Sequence, residues 1–402
     1  MRMNPRLFCL LASVFLPVMP GLAQVSLTPL ATFAGGDGWL GATDSSTDYL
    51  TQTATGGATS NTERGLGYSP TTNHLYYVSR ETVLDAAINV RILDAVTGAD
   101  IGALDVTGIT GGTFALNKIV AGGDGVIYGT NLRTGTTATT YKIYSWSTEA
   151  SAPVTIFDKL PDTDTRVGDD LDAIGSGAGT QLVTGYGVAA TAPDSNGYAV
   201  IDPTASAATP TNPVFNNVTF PEGTGAGQTV DGDFRLGITF LKGGVNGTVI
   251  GTQGASVTAA RLTDFTGTTG TLRASLTLQV TNERVMDFAT VGGVPLLATM
   301  ETGGTTATPL LTAGTVRIYD MTDPTAPVFL ASANNMPAGT PFENPNFAGD
   351  VRWGAITGNT ATLYTLNTNN GIAAYTVTVV PEPSSAALLG IAAIGVALRR
   401  RR

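Results

Sequence analysis

A four-part unit recurs along the body of this chain of 402 residues, and it limits the fold more than any other feature does. Self-similarity at a period of tens of residues makes one small unit the building block of the whole, because each unit must bury its apolar face against the next. The first part is a strand-like stretch of small residues, at 64–68, 117–121, 171–175, 235–240, 286–291 and 352–357. Successive units therefore start 51 to 66 residues apart. An aromatic or β-branched stretch follows at 75–79, 126–131, 181–186, 248–253, 295–300 and 362–366. The third part alternates and often closes on Asp, at 90–94, 141–146, 198–202, 259–264, 316–320 and 371–377. Fourth strands are expected at 101–106, 153–158, 214–220, 272–280 and 326–332.

The sixth unit has only three strands, and the missing one is expected at the other end of the chain, where 27–33 precedes the first complete unit. Pairing 27–33 with the last three strands closes a ring without an exposed edge. The body thus resembles a β-propeller repeat protein, and the fold class expected is all-β, a six-bladed β-propeller with four-stranded blades. The alternatives are a seven-bladed propeller, with a further blade in 34–61, and a β-sandwich array. Turn chemistry agrees with the strands: Thr72-Asn73, the run Gly122-Gly123-Asp124-Gly125 and Asn246-Gly247 are placed as tight hairpin turns, with Thr97-Gly98 and Asp323-Pro324 after third strands. The Gly-, Thr- and Ser-rich stretch 34–61 reads as a surface loop, so that 24–63 holds the closing strand and this loop while 64–380 forms the propeller.

Both ends carry addresses. Arg2 and Arg6, the apolar run 7–18 and the small-x-small triplet Gly21-Leu22-Ala23 form a secretory signal over 1–23, with cleavage expected between Ala23 and Gln24. The last 22 residues read Pro381-Glu382-Pro383, two serines, an apolar run 386–398, and then Arg399, Arg400, Arg401 and Arg402. Thirteen helical residues span about 20 Å, short of the roughly 30 Å hydrocarbon core. The arginine block stays on the cytoplasmic side, which places everything before Pro381 outside. These residues, in this order, resemble the PEP-CTERM sorting signal of exported proteins over 381–402. The resemblance implies a precursor held in the inner membrane by its C-terminal helix, delivered by the secretion machinery. An exosortase-type membrane protease would then cut the tail and release the body to the cell surface or to an extracellular matrix of exopolysaccharide.

Composition supports an exported body and excludes some partners. The single cysteine, Cys9, lies inside the signal, so the mature chain forms no disulfide and its core alone must stabilise it. Removing the charged residues of the two ends leaves fifteen basic against thirty acidic side chains, about −15, which argues against nucleic acid as a partner.

Catalytic chemistry is thinly represented. His74 is the sole histidine, expected on the surface beside a turn; with no Gly-x-Ser-x-Gly elbow, a Ser-His-Asp system finds no support. The first strands carry Arg64, Lys118, Asp172, Arg235, Asp287 and Arg352 at equivalent positions, expected to converge on the central channel. They form either a salt-bridge ring or a polar site for an acidic sugar or other anion. The acidic run holding Asp162, Asp164, Asp169 and Asp170 is a candidate for calcium, although it lacks the Gly and terminal Glu of an EF-hand; the alternative is a solvated acidic loop, and no other cofactor is expected. Among Trp39, Trp146 and Trp353, Trp39 is expected to be the most exposed. The function that follows is a non-enzymatic binding or structural propeller at the cell surface. The alternative is an extracellular hydrolase or lyase acting on a glycan or lactone through channel carboxylates.

Overall fold

The computed structural model describes residues 23–41, 44, 62–80, 88–134, 139–159, 165–187, 195–204, 214–252, 259–304, 310–337 and 344–380. Residues 1–22 of the signal, the tail 381–402, and Asp162 and Asp164 lie outside the described residues. What is described is all-β, with helical turns only at Phe33–Gly36 and Gly177–Gly179.

The strands follow in chain order. The N-terminal segment gives β1 (Gln24–Pro29) and β2 (Trp39–Leu40). The first meander is β3 (Glu63–Ser69), β4 (His74–Ser79), β5 (Asn89–Asp94) and β6 (Asp100–Ala103). The second is β7 (Phe114–Ala121), β8 (Ile127–Thr134), β9 (Tyr141–Trp146) and β10 (Val154–Lys159). A short β11 (Arg166–Val167) bridges it to the third, β12 (Asp172–Ile174), β13 (Gln181–Gly187), β14 (Tyr198–Asp202) and β15 (Val214–Val218). The fourth is β16 (Gly237–Lys242), β17 (Asn246–Thr252), β18 (Ala259–Thr266) and β19 (Thr269–Thr277). The fifth is β20 (Glu283–Val291), β21 (Val294–Glu301), β22 (Val316–Asp320) and β23 (Val328–Ala333). Last come β24 (Gly349–Thr357), β25 (Thr360–Asn367) and β26 (Gly371–Val380), whose outer edge is taken by β1 in antiparallel register from Gln24 opposite Val380 to Pro29 opposite Tyr375.

Each meander pairs its strands antiparallel in sequence order, and its first strand packs against the first strand of the next. Thus β3 meets β7, β7 meets β12, β12 meets β16, β16 meets β20, β20 meets β24, and β24 returns to β3. The apolar core follows the same plan, because alternate residues of a strand face opposite sides and each sheet here is covered on both. One cluster joins Leu66, Leu75 and Tyr77 of the first meander to Tyr364, Leu366 and Ile372 of the last. Another joins Tyr76, Val78 and Ile92 to Ile119, Tyr144 and Trp146 of the second. Trp146 is fully buried and its indole N–H donates to the Asp105 carbonyl at 2.7 Å, so burial leaves no orphaned donor.

The structure moves several sequence expectations. The closing strand starts three residues earlier than 27–33, since the ladder to β26 runs from Gln24; Phe33 instead sits wholly buried in its 3-10 turn. Gly98, with φ of +73°, lies directly against the Phe33 ring, where a Cβ would sit 3.1 Å from it and the backbone conformation favours glycine. Asn246 and Gly247 lie in β17, and the tight turn before them is made by Gly244 at φ +99°. Trp39 is 5% exposed, not a surface aromatic: as part of β2 it pairs with Ala373 and packs in the core of the last sheet.

Candidate functional site: two charged tiers where the first strands meet

The first strands bring their charged residues together in two tiers. Strand alternation decides which residue joins which, because positions two apart share a face. Asp170 and Asp172, and likewise Asp350 and Arg352, therefore point the same way in pairs. The inner tier contains Lys118, Asp170, Asp172, Asp287, Asp350 and Arg352. Lys118 Nζ lies 3.1 Å from Asp350 Oδ2 and 3.9 Å from Asp170 Oδ1, and it donates to the Gly349 carbonyl at 2.5 Å. Arg352 spans the middle: its Nη2 meets Asp350 Oδ1 at 2.7 Å, its Nε donates to the Leu66 carbonyl and its Nη2 to the Leu171 carbonyl, each at 2.8 Å. Asp172 Oδ1 stands 3.9 Å from Arg352 Nη1.

The carboxylates of this tier are clamps between sheets. Asp350 Oδ2 accepts from the Leu66 N–H at 3.0 Å, and Asp170 Oδ2 from Ile238 N–H at 2.8 Å. Asp172 Oδ2 accepts from Phe240 N–H and the Thr239 hydroxyl, both at 2.9 Å. Asp287 Oδ2 accepts from Trp353 N–H at 2.7 Å and its Oδ1 from Phe288 N–H at 2.8 Å. Each bond runs to the next sheet except the last, which is local. Four carboxyl groups face two cations here, so burial costs the excess charge heavily. Burial pushes Asp287 up to about 8, with the neighbouring Asp172 charge adding and Arg352 opposing. Burial likewise pushes Asp170 up to about 7 against the pull of Lys118, and it raises Asp172 against that of Arg352. On the side where β12, β20 and β24 continue, Asp172, Asp287, Arg352, Trp353 and Tyr68 line a cavity of about 290 Å³.

The outer tier lies at the starts of the first strands and is basic. Asp169 accepts from Arg166 Nε at 2.5 Å and Nη2 at 2.7 Å, and from Arg235 Nε at 3.0 Å. Arg64 Nε donates to Asn117 Oδ1 at 2.7 Å, and its guanidinium lies 4.7 Å over the Phe114 ring, with Arg80 at 3.7 Å over the same ring. Arg284 is stacked 3.3 Å over Phe347.

The six residues expected at the channel therefore separate. Lys118, Asp172, Asp287 and Arg352 meet in the inner tier, and Arg64 and Arg235 in the outer one. Of the calcium candidates, Asp169 is bound to two arginines and Asp170 to a backbone N–H beside Lys118. Among the described residues, no group of three or more His, Cys, Asp or Glu is arranged to hold a metal ion. His74 is half-buried, its Nδ1 2.8 Å from Glu149, which also accepts from Tyr76 and Thr72. Sequence reasoning missed Asp350 and Arg284; the signal for Asp350 was its place two residues before Arg352 on one strand face.

Comparison with known proteins gives a fold and an address. A solved structure of a DUF4623 family protein from Bacteroides eggerthii matches with a TM-score of 0.59 at 16% identity, over 89% of this chain and 75% of that one. The α-L-arabinanase of Penicillium chrysogenum, solved with arabinobiose, matches with a TM-score of 0.45 at 10% identity, over 89% of this chain and 98% of its own. No curated protein matches the chain. Among the described residues no helix is long and apolar enough to cross a membrane. Residues 379–402 match the model of the PEP-CTERM protein-sorting motif, so the chain carries the mark of an exported protein processed by an exosortase.

Proposed function

We propose that this chain is a six-bladed β-propeller that acts outside the cell as a non-enzymatic binding or structural protein of the surface or of an exopolysaccharide matrix. In this reading residues 1–23 are a cleaved signal peptide, the 386–398 helix holds the precursor in the inner membrane, and the working form is 24–380. The return of β24 to β3, with apolar clusters between successive meanders, supports ring closure. The observation that carries the non-enzymatic reading is the use of the central carboxylates. Both oxygens of Asp287 accept backbone N–H groups, and Asp172 Oδ2 accepts two bonds from the neighbouring sheet. These groups hold sheets together, and a general acid or base instead needs a free path to the proton it moves.

One observation favours the competing reading of a glycan- or lactone-acting enzyme. Asp287, raised to about 8, and Asp172 share the cavity with Trp353, and a carboxyl kept protonated near neutrality suits general acid work. Incubating the protein with the producer's own matrix polysaccharide separates the two. Retention of the polymer with its chain length unchanged is expected; shortening of the polymer that Asp287→Asn abolishes would establish the enzyme instead.

A further inference from the structure

We propose that the outer tier is a binding site for an oxyanion: a carboxylate, or a sulfate or phosphate ester, carried by an acidic sugar polymer. The proposal rests on the binding reading above and names the chemistry of its ligand. Five guanidinium groups belong to this tier: Arg166 and Arg235 share the carboxylate of Asp169, Arg64 and Arg80 share the ring of Phe114, and Arg284 lies on Phe347. Arg64 feels Asp169, Arg80, Arg166 and Glu63, and Arg284 feels Arg235. Glu63 is itself engaged with the Asn369 N–H at 2.9 Å. Like charges at close range, away from water, repel strongly unless a counter-charge is supplied. A body that is about −15 in total keeps a positive excess here, which makes an adventitious accumulation a poor explanation.

The unpaired donors point the same way. Arg64 is 3% exposed and its Nη1 has no hydrogen-bond partner. Arg284 is 1% exposed; its Nη2 donates to Asn282 at 3.0 Å, but its Nε and Nη1 have none. Buried guanidinium N–H groups normally find acceptors, and leaving them unmade is costly. Phe114 and Phe347 hold the flat faces of these arginines, which leaves the in-plane N–H edges to a ligand; that edge matches the two oxygens of a carboxylate or the oxygens of a sulfate or phosphate. The tier also reaches water, because the Arg166 and Arg235 side chains are 22% and 23% exposed. At Gly187, a side chain would run into the methylenes of both arginines, so the glycine lets the two side chains lie together. Burial and neighbouring cations already depress the two buried arginines, Arg64 to about 10 and Arg284 to about 9, the direction that a bound anion would reverse.

The test is calorimetric titration of the full-length chain in detergent with a galacturonate oligomer, a neutral oligosaccharide of equal length, inorganic sulfate and inorganic phosphate. Saturable binding of at least one oxyanion is expected, weakened tenfold or more in Arg284→Gln and in Arg80→Gln and unchanged in Arg273→Gln, whose partner Asp264 lies elsewhere. Preference among the three oxyanions identifies the source of the group. Because two of the three guanidinium nitrogens of Arg284 are buried without an acceptor, Arg284→Gln is expected to keep or raise the melting temperature, whereas an arginine needed only for structure would lower it. Binding untouched by both substitutions, or no binding of any oxyanion, overturns the site. If the wild-type chain is then still retained on the producer's polymer, the binding function stands and only this site is lost.

Discussion

Asp170 is buried beside Lys118 while Asp172 and Asp287 line the cavity, and the titration of the three governs how the centre responds to pH. Their carboxyl groups are raised in the folded chain, Asp170 to about 7 and Asp287 to about 8, above the 3.8 of the free group. The folded chain therefore binds more protons than the unfolded one between those values. Their stabilising contribution is full below about pH 4 and is lost as pH rises through 7 and 8, by up to about 1.4 kcal/mol per pH unit for each group. Asp94, Asp169 and Glu149 are depressed by their hydrogen bonds and cations, so their contribution is lost only as pH falls below about 4. The melting temperature is expected to fall steadily from pH 5 to pH 8, read by calorimetry, and a rise over that interval would mean that the carboxyl groups are solvated. At this scale the site was only partly legible. Arg352 and Asp172 were legible from their places on first strands, but the split into two tiers depends on where each strand starts. Asp169 and Asp170 illustrate the difficulty: adjacent in sequence, they face different tiers, and a dense acidic run reads as a metal site until the neighbouring Arg166, Arg235 and Lys118 are seen.

The first strands of neighbouring meanders approach closely enough that side chains are excluded at particular positions. A Cβ at Gly237 would overlap the Arg284 carbonyl oxygen, and one at Gly65 would press on the Asn117 carbonyl oxygen at 2.9 Å. The backbone of one strand thus rests on that of the next, and glycine is required by contact rather than by φ. Gly237→Ala is expected to destabilise the fold by about 3 kcal/mol or more, since overpacking against backbone cannot be relieved by a rotamer change. Chemical denaturation measures this; a loss below about 0.5 kcal/mol would show that the strands are farther apart. The strands of the meanders were legible, because alternation and turn residues repeat six times, whereas the two-residue β2 and β11 were not. Boundaries were less so. The closing strand was placed at 27–33 on its resemblance to fourth strands, whereas the ladder is set by β26, whose ten residues reach Val380 and draw Gln24 opposite. Trp39 was read as exposed because its neighbours are loop-forming glycines, yet two residues of extended chain suffice to pair with Ile372 and Ala373 and bury it.

At the scale of the whole molecule, the two ends of the described body meet. Gln24 pairs with Val380, so the residue expected to follow signal cleavage and the residue before the Pro381-Glu382-Pro383 triplet sit opposite each other on one ladder. Removing both addresses would take nothing from the sheet that closes the chain, and removing residues beyond Gln24 would expose the edge of β26 to unwanted pairing. The most direct measurement is mass spectrometry of both termini of the protein recovered from the cell surface and the medium. A chain that starts at Gln24 and ends near Pro381 to Pro383 is the expected result, because both cuts then fall where the ladder ends. An intact Arg402 on protein confined to the inner membrane would contradict it, and with it the proposal that the body works outside the cell.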